Sequence, residues 1–360
     1  MPKGLYKLPD IKNEPVKSYA PGSEERAALK AKLTELNQGG LDLPMIIGGK
    51  EVRTGKLMDI RPPHDHQRLL GHYHQGGKEH VAQAIEAALK AKHAWEAMGW
   101  ESRAAIFLKA ADLVAGPYRY EFNAVTMIGQ SKNAFQSEID AVCELIDFFR
   151  FNAKNMMEVY AMQPNSSLGV WNRMVWRPLE GFVYAVTPFN FTAIAGNLPS
   201  CPAMLGNTVV WKPASTAMLS AHYIMTLFRE AGLPPGVINM VGGSGELISN
   251  KVLAHRDRQV EVPEVHQPGA HRLVQSVVGA QRKGRRRAYA HTCRRKKQLF
   301  ADFFLPKDAE RHIQRQQRRQ IGVFLRQVAA VHERARHRPA RAVGHVGAGA
   351  VDRHAVVERA

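Results

Sequence analysis

Cysteine is scarce in this chain. Three residues in 360, Cys143, Cys201 and Cys293, stand in no Cys-x-x-Cys or Cys-x-x-His spacing, which excludes a disulfide-built scaffold and a cysteine zinc site. No apolar run approaches the ~20 residues that span a bilayer. The opening MPKGLYKLPDIKNEPVK lacks the apolar core of a signal peptide, and its Asp10 and Glu14 are out of keeping with a transit peptide. A soluble, intracellular protein without a membrane partner is expected. Aromatics are few at 8%, yet hydrophobic residues reach 45%, enough for a sizeable core and too many for bulk disorder. At ~150 residues per domain, two or three domains are expected.

Acidic residues are also short, 32 against 50 Lys+Arg, but the deficit is local. Residues 256–360 hold 24 Lys+Arg against 9 Asp+Glu, whereas residues 1–255 hold 26 against 23. The last third has no Met, Trp or Asn and a single Ser, beside 20 Arg and 8 His. It shows no alternation of strands and helices.

What is present falls into four parts. Residues 1–44 read as a Pro-punctuated arm and a helix at 24–37. An extended segment at 44–53 opens the second part, residues 45–181, which continues mainly as amphipathic helices. One runs over 80–98, one through ESRAAIFLKAADLVAG, and the longest over 133–158, with Ile139, Val142, Ile146 and Phe149 on its buried side. Cys143 lies beside that stripe and reads as a small core hydrophobe. The Val/Trp-rich segment 166–178, interrupted by Asn172-Arg173, predicts a hairpin. From 182 to 255 strands (182–187, 207–212, 237–241) alternate with helices (193–206, broken by Pro199 and Pro202; 216–231; one opening at GGSGELISN), half of a doubly wound parallel sheet of class α/β. The fourth part, 256–360, is the basic tail.

In such sheets ligands sit outside the carboxyl ends of the strands. Lys212 ends the second strand, where its ammonium suits a ribose hydroxyl or phosphate, or is simply a solvated lysine. Ser215 and Thr216 stand where a helix N-cap belongs. Gly242, Gly243 and Gly245 form a tight turn with free N–H groups, suited to an anion or a flat ring, although the first turn lacks the G-x-G-x-x-G fingerprint. Asn190, between Phe189 and Phe191, can aim an amide at a developing oxyanion or bond its own loop. Cys201 falls in a helix and reads as structural.

Together GFVYAVTPFNF at 181–191, NTVVWKPAST at 207–216 and EAGLPPGVINMVGG at 230–243 make residues of about 45–255 resemble the NAD(P)-dependent aldehyde dehydrogenase superfamily. Within it, MIGQSKNAFQSEIDAVCELIDFFRFNAK at 127–154 and the PFNFTAI segment are similar to the 1-pyrroline-5-carboxylate dehydrogenase family, which oxidises L-glutamate γ-semialdehyde to glutamate. The resemblance implies the first half of an aldehyde dehydrogenase fold, NAD as cofactor and a small aldehyde as substrate. It implies Asn190 as oxyanion donor, Lys212 and Ser215 on the adenosine ribose, and Thr187, Pro188 and Phe189 along the nicotinamide half. Gly243 and Gly245 would flank the adenine pocket, with Phe191 and Glu138 bordering the substrate channel. The 166–178 hairpin matches the element through which the family forms homodimers or larger assemblies. The compartment implied is the cytoplasm, or the mitochondrial matrix in a eukaryote.

In the family an FTGS turn, a water-activating glutamate in an E-x-GGK-like segment and the attacking cysteine in a GQ-x-C segment follow the third strand, and none of these occurs here. Cys293, in AHTCRRKK, has cations to lower its pKa but nothing to set it opposite Asn190. The tail has the composition that reading GC-rich coding DNA in a wrong frame produces. The chain is therefore expected to be catalytically incomplete. Two other roles follow from the residues: non-specific nucleic-acid binding through QRKGRRRAYAHTCRRKK at 281–297, and a non-catalytic subunit pairing with a full-length dehydrogenase.

Overall fold

The structure, a computed structural model, describes residues 7–261. In chain order its elements are α1 (Glu24–Asn37), β1 (Leu41–Leu43), β2 (Met45–Ile47), β3 (Lys50–Val52), β4 (Leu57–Ile60) and β5 (Gly71–His74). Next come the helices α2 (Lys78–Ala97), α3 (Trp100–Ala115), α4 (Arg119–Gln130), α5 (Ala134–Ser137) and α6 (Glu144–Ala161), a π turn over Glu138–Cys143 joining the last two. Strands and helices then alternate: β6 (Phe182–Val186), α7 (Thr192–Met204), β7 (Val209–Lys212), α8 (Met218–Ala231), β8 (Ile238–Met240), α9 (Gly245–Leu253) and β9 (Arg258–Glu261).

The main sheet has six strands in the order β3-β2-β8-β7-β6-β9, and β8, β7, β6 and β9 are mutually parallel. Three parallel strands standing alone are not what forms. β2 pairs antiparallel with β8 through Ile46 and Met240, and β9, lying beyond His255, pairs with β6. The strand order reverses at β6, so a crevice opens at the carboxyl end of that strand. Side chains alternate with the pleat. Phe182, Tyr184 and Val210 join Val81, Ile85, Ile248 and Val252 under α2 and α9, whereas Val183, Ala185, Val209 and Trp211 join the larger core of α3, α4, α6, α7 and α8. In that core Phe107, Phe149 and Phe228, with ring centroids 5.9–6.1 Å apart, tie α3, α6 and α8 together. A second small sheet, β1-β5-β4, is built from the N-terminal segments.

Three local expectations are corrected. α7 runs unbroken through Pro199 and Pro202, and its last carbonyls, beyond the reach of a helical N–H, find donors elsewhere. Trp95 Nε1 donates to Ala203 O (2.8 Å), Arg103 Nε to Met204 O (3.0 Å) and Asn207 Nδ2 to Pro202 O (3.0 Å). In the long helix the π turn inserts an extra residue and shifts the apolar phase, so Ile139 is 37% exposed while Val142, Ile146 and Phe149 are buried. Residues 166–178 make no two-stranded hairpin. Only a Ser167–Val170 bridge forms, and Leu168, Trp171 and Val175 project from the surface without a partner strand to set a ladder.

Candidate functional site

The carboxyl ends of β6 and β7 are held level. Val186 pairs with Lys212, and Thr187 N–H donates to Lys212 O (3.3 Å). Beyond these ends lie most of the residues singled out from the sequence. Thr187 is buried, and its Oγ1 accepts from Trp211 Nε1 at 3.0 Å, so it fastens the strand end. Pro188 is half-buried, and Phe189 and Asn190 reach into solvent at the mouth. The Asn190 amide has no hydrogen-bond partner among the described residues, so it does not serve its own loop.

The Asn190 loop is anchored from below. Thr192, the first residue of α7, is fully buried, and its hydroxyl meets Thr126 Oγ1 (2.8 Å), Gln130 Nε2 (2.9 Å) and Ser220 Oγ (3.2 Å). This cluster joins α4, α7 and α8 directly behind the loop. It was missed from sequence because its members come from three separated helices and carry no spacing signal.

Lys212 is half-buried and has neither an ion pair nor a hydrogen-bond acceptor for its ammonium among the described residues. Burial alone pushes its pKa below the ordinary lysine value. Its Nζ would lie 3.8 Å from a Cβ placed on Gly245, the first residue of α9, so the lysine stands over that helix N-terminus. A half-buried cation and a helix N-terminus converging on a bare glycine suit a polyhydroxyl or phosphate group. Ser215 is exposed three residues further on, in a single 3₁₀ turn. Neither Ser215 nor Thr216 caps α8, whose N-cap is Ala217 without a side-chain bond. Gly243, at φ +145°, turns away from Lys212: a Cβ there would lie 3.2 Å from the carbonyl oxygen of Gly76. Of the two glycines expected to flank a ring, Gly245 thus joins Lys212 and Gly243 closes against the segment before α2.

Phe191 lines a groove of about 720 Å³ together with Asp140, Glu144, Phe148 and the arm residues Asn13 and Val16. Lys132 Nζ sits 4.2 Å from the Phe191 ring centroid and pairs with Asp140 at 3.0 Å. Glu138 does not border this groove with a free carboxylate. It is 0% exposed, accepting from Lys17 N–H (2.9 Å), Tyr19 Oη (2.7 Å) and Asn123 Nδ2 (2.9 Å) and paired with Arg119. Burial on its own raises the Glu138 pKa, but Arg119 and the other donors more than offset this and hold it below the usual carboxylate range. Carboxylates that do line the groove include Asp140 and Glu144, and the Glu144 pKa is raised by burial and by nearby Asp140. Cys143 packs beside the Glu138–Arg119 pair, and burial followed by the Glu138 charge pushes its thiol up to about 12, an inert value. Cys201 is half-buried in α7. Cys293 and the basic run 281–297 lie outside the described residues. Among the described residues no three His, Cys, Asp or Glu side chains group as metal ligands, and no helix is long and apolar enough to cross a membrane.

The family model described as "Aldehyde dehydrogenase family" matches residues 51–261. This chain belongs to that family. Its curated relatives in the family include delta-1-pyrroline-5-carboxylate dehydrogenase of Agaricus bisporus, 54% identical over 245 residues, covering 68% of this chain and 45% of the relative. The human mitochondrial delta-1-pyrroline-5-carboxylate dehydrogenase is 46% identical over 242 residues, covering 67% and 43%. Among solved family structures, delta-pyrroline-5-carboxylate dehydrogenase from Mycobacterium tuberculosis bound with NAD superposes with a TM-score of 0.69 at 50% identity, covering 71% of this chain and 48% of the other. The chain thus spans less than half the length of these relatives. The match runs through β9, so the strand beyond His255 is part of the family fold.

Proposed function

We propose that residues 7–261 are the NAD-binding half of a dehydrogenase for L-glutamate γ-semialdehyde. One observation carries this reading: Lys212, a half-buried cation without a partner among the described residues, stands over the N-terminus of α9 beside Gly245. Those residues fit the adenosine end of a dinucleotide. Lys212 and the exposed Ser215 hold its ribose, Gly245 admits the ring at close approach, and Pro188 and Phe189 lie along the nicotinamide end. Thr187 acts indirectly, through the Trp211 bond that fixes the strand end. When bound, NAD supplies the hydride acceptor. The chain's own part in the chemistry is the Asn190 amide, which donates to the aldehyde oxygen as negative charge develops there, an effect on the order of 10²–10³ in rate. Phe191, stiffened by Lys132, and Glu144 form one side of the substrate channel.

No segment of these 360 residues supplies the attacking cysteine or the water-activating glutamate. The chain by itself therefore binds NAD and does not turn substrate over. Calorimetric titration of the full chain with NAD, alongside an assay with glutamate semialdehyde, tests both statements. Saturable NAD binding, weakened about tenfold or more by Lys212→Met, with no NADH formed, is expected. No binding, or turnover at rates normal for a dehydrogenase, overturns the reading.

The exposed apolar strip at Leu168, Trp171 and Val175 favours a second element of the proposal, pairing with another dehydrogenase subunit, a second copy or a full-length homologue. Light scattering of the purified chain tests it, a monomer at all concentrations counting against self-pairing. The compartment proposed is the cytoplasm, or the mitochondrial matrix in a eukaryote. Nucleic-acid contact, if made, belongs to the 281–297 run and is non-specific.

A further inference from the structure

His74 closes β5, is 5% exposed and uses both ring nitrogens. Nδ1 lies 2.9 Å from Thr54 N and 3.2 Å from Gly55 N. A backbone amide can only donate, so Nδ1 is the bare acceptor and the proton sits on Nε2, which donates to Asp42 Oδ1 at 2.8 Å. The charged groups around the ring are Asp42 from β1 and, paired with it, Arg53 from the β3–β4 loop. Arg53 pairs with Asp42 (2.8 Å) and Glu51 (2.9 Å), and Glu51 meets Arg229 of α8 at 3.4 Å, near the half-buried His222.

The loop held by His74 is bonded to the residues that follow it. Thr54 Oγ1 donates to Gln75 O (3.0 Å), and Gln75 N–H donates to Lys56 O (2.8 Å). Gly76 N–H then donates to Gly242 O at 2.8 Å, and a Cβ on Gly242 would lie 3.3 Å from the carbonyl oxygen of His74 itself. The Gly242–Gly243 turn leads through Ser244 into Gly245, beside Lys212. Hydrogen bonds thus join the His74 ring to Gly242, and the backbone of the turn carries on from there into the α9 N-terminus.

We propose that His74 is a positioning residue for the dinucleotide site, and that protonation of its Nδ1 releases the turn leading into Gly245 and weakens dinucleotide binding. The inference rests on the NAD-binding reading of that site. A proton on Nδ1 sets a donor against two donors, and with no acceptor left the 54–56 loop separates from the ring.

The test uses the full chain as wild type, His74→Asn and His74→Leu. Amide-exchange protection at Thr54, Gly55 and Gly76 and affinity for NAD are measured at about pH 8 and about pH 5.5, across the range in which imidazoles titrate. On acidification the wild type is expected to lose protection at these amides and about tenfold in NAD affinity. His74→Asn, whose Oδ1 replaces Nδ1 as an acceptor that does not protonate, holds both constant. His74→Leu is unprotected at both pH values. Parallel behaviour of wild type and His74→Asn overturns the proposal, as does NAD affinity that ignores pH while the amides open. Absence of NAD binding at both pH values sinks the dinucleotide reading itself and this inference with it, an outcome distinct from binding that does not respond to pH.

Discussion

Glu138 and Lys212 are both charged and both withdrawn from water, yet their surroundings are opposite. Glu138 has Lys17, Tyr19, Asn123 and Arg119 around it, whereas Lys212 has no partner for its ammonium among the described residues. A buried charge that the chain has fully answered belongs to the architecture. One left unanswered at the mouth of a sheet is held ready for something that arrives from outside. The contrast also explains why Glu138 ties the N-terminal arm to α4 and presents no free carboxylate to the groove beside Phe191.

The sharpest way to break this contrast is to remove each charge in turn. Glu138→Ala removes the fully buried partner of Arg119, leaving Glu14 as its remaining carboxylate, and strips Tyr19 and Asn123 of an acceptor; it is expected to cost about 3–5 kcal/mol in urea unfolding. Because the Glu138 pKa is depressed in the folded state, its contribution is fully present above the usual carboxylate range and is lost as pH falls through the depressed value. Wild type and Glu138→Gln should therefore converge in stability toward strong acid. Lys212→Met reverses the pattern. NAD affinity should fall by about tenfold or more, the weight of a charge-assisted hydrogen bond, while stability holds or rises. Since burial lowers the Lys212 pKa, any gain should shrink as pH rises through that lowered value toward the ordinary lysine range.

Smaller effects separate the strand-end groups. Trp211→Phe deletes the bond to Thr187 and is expected to cost about 1 kcal/mol of stability, with NAD affinity reduced because the Thr187–Phe189 segment loosens. Asn190→Ala should change stability by less than about 0.5 kcal/mol, since its side chain is exposed and makes no hydrogen bond among the described residues. If Asn190→Ala instead destabilised the fold strongly, the amide would be structural and its assignment as an oxyanion donor would fail.

The regions differ in how far they could be read from sequence. FVYAVT, NTVVWK and VINMV were legible as strands because a parallel strand buried on both faces must be apolar throughout and end in turn residues. Asn190 and Lys212 were legible as strand-end groups for the same reason. β1, β4 and β5 were not, because they are three or four residues long and pair at a distance, Leu41 with Gly71 and Leu57 with His74. The π turn escaped because its cause is tertiary: Glu138 is drawn in by Arg119 and Tyr19, whose positions no local spacing reveals. β9 was missed because it lies where the Arg-rich composition begins, so a real strand was assigned to the tail.

The main sheet sets the order in which this protein can be made. β2 emerges early in synthesis, yet its neighbour β8 is almost the last described element, and β6 gains its second parallel partner only when β9 has appeared. Such pairings carry high contact order and form slowly. While they wait, the edges of β2 and β6 are unpaired strands on a nascent chain, the kind of surface that chaperones hold. A chain released before residue 261 would leave β6 with an open edge at the reversal point, beside the Asn190 loop that the sheet is built to present.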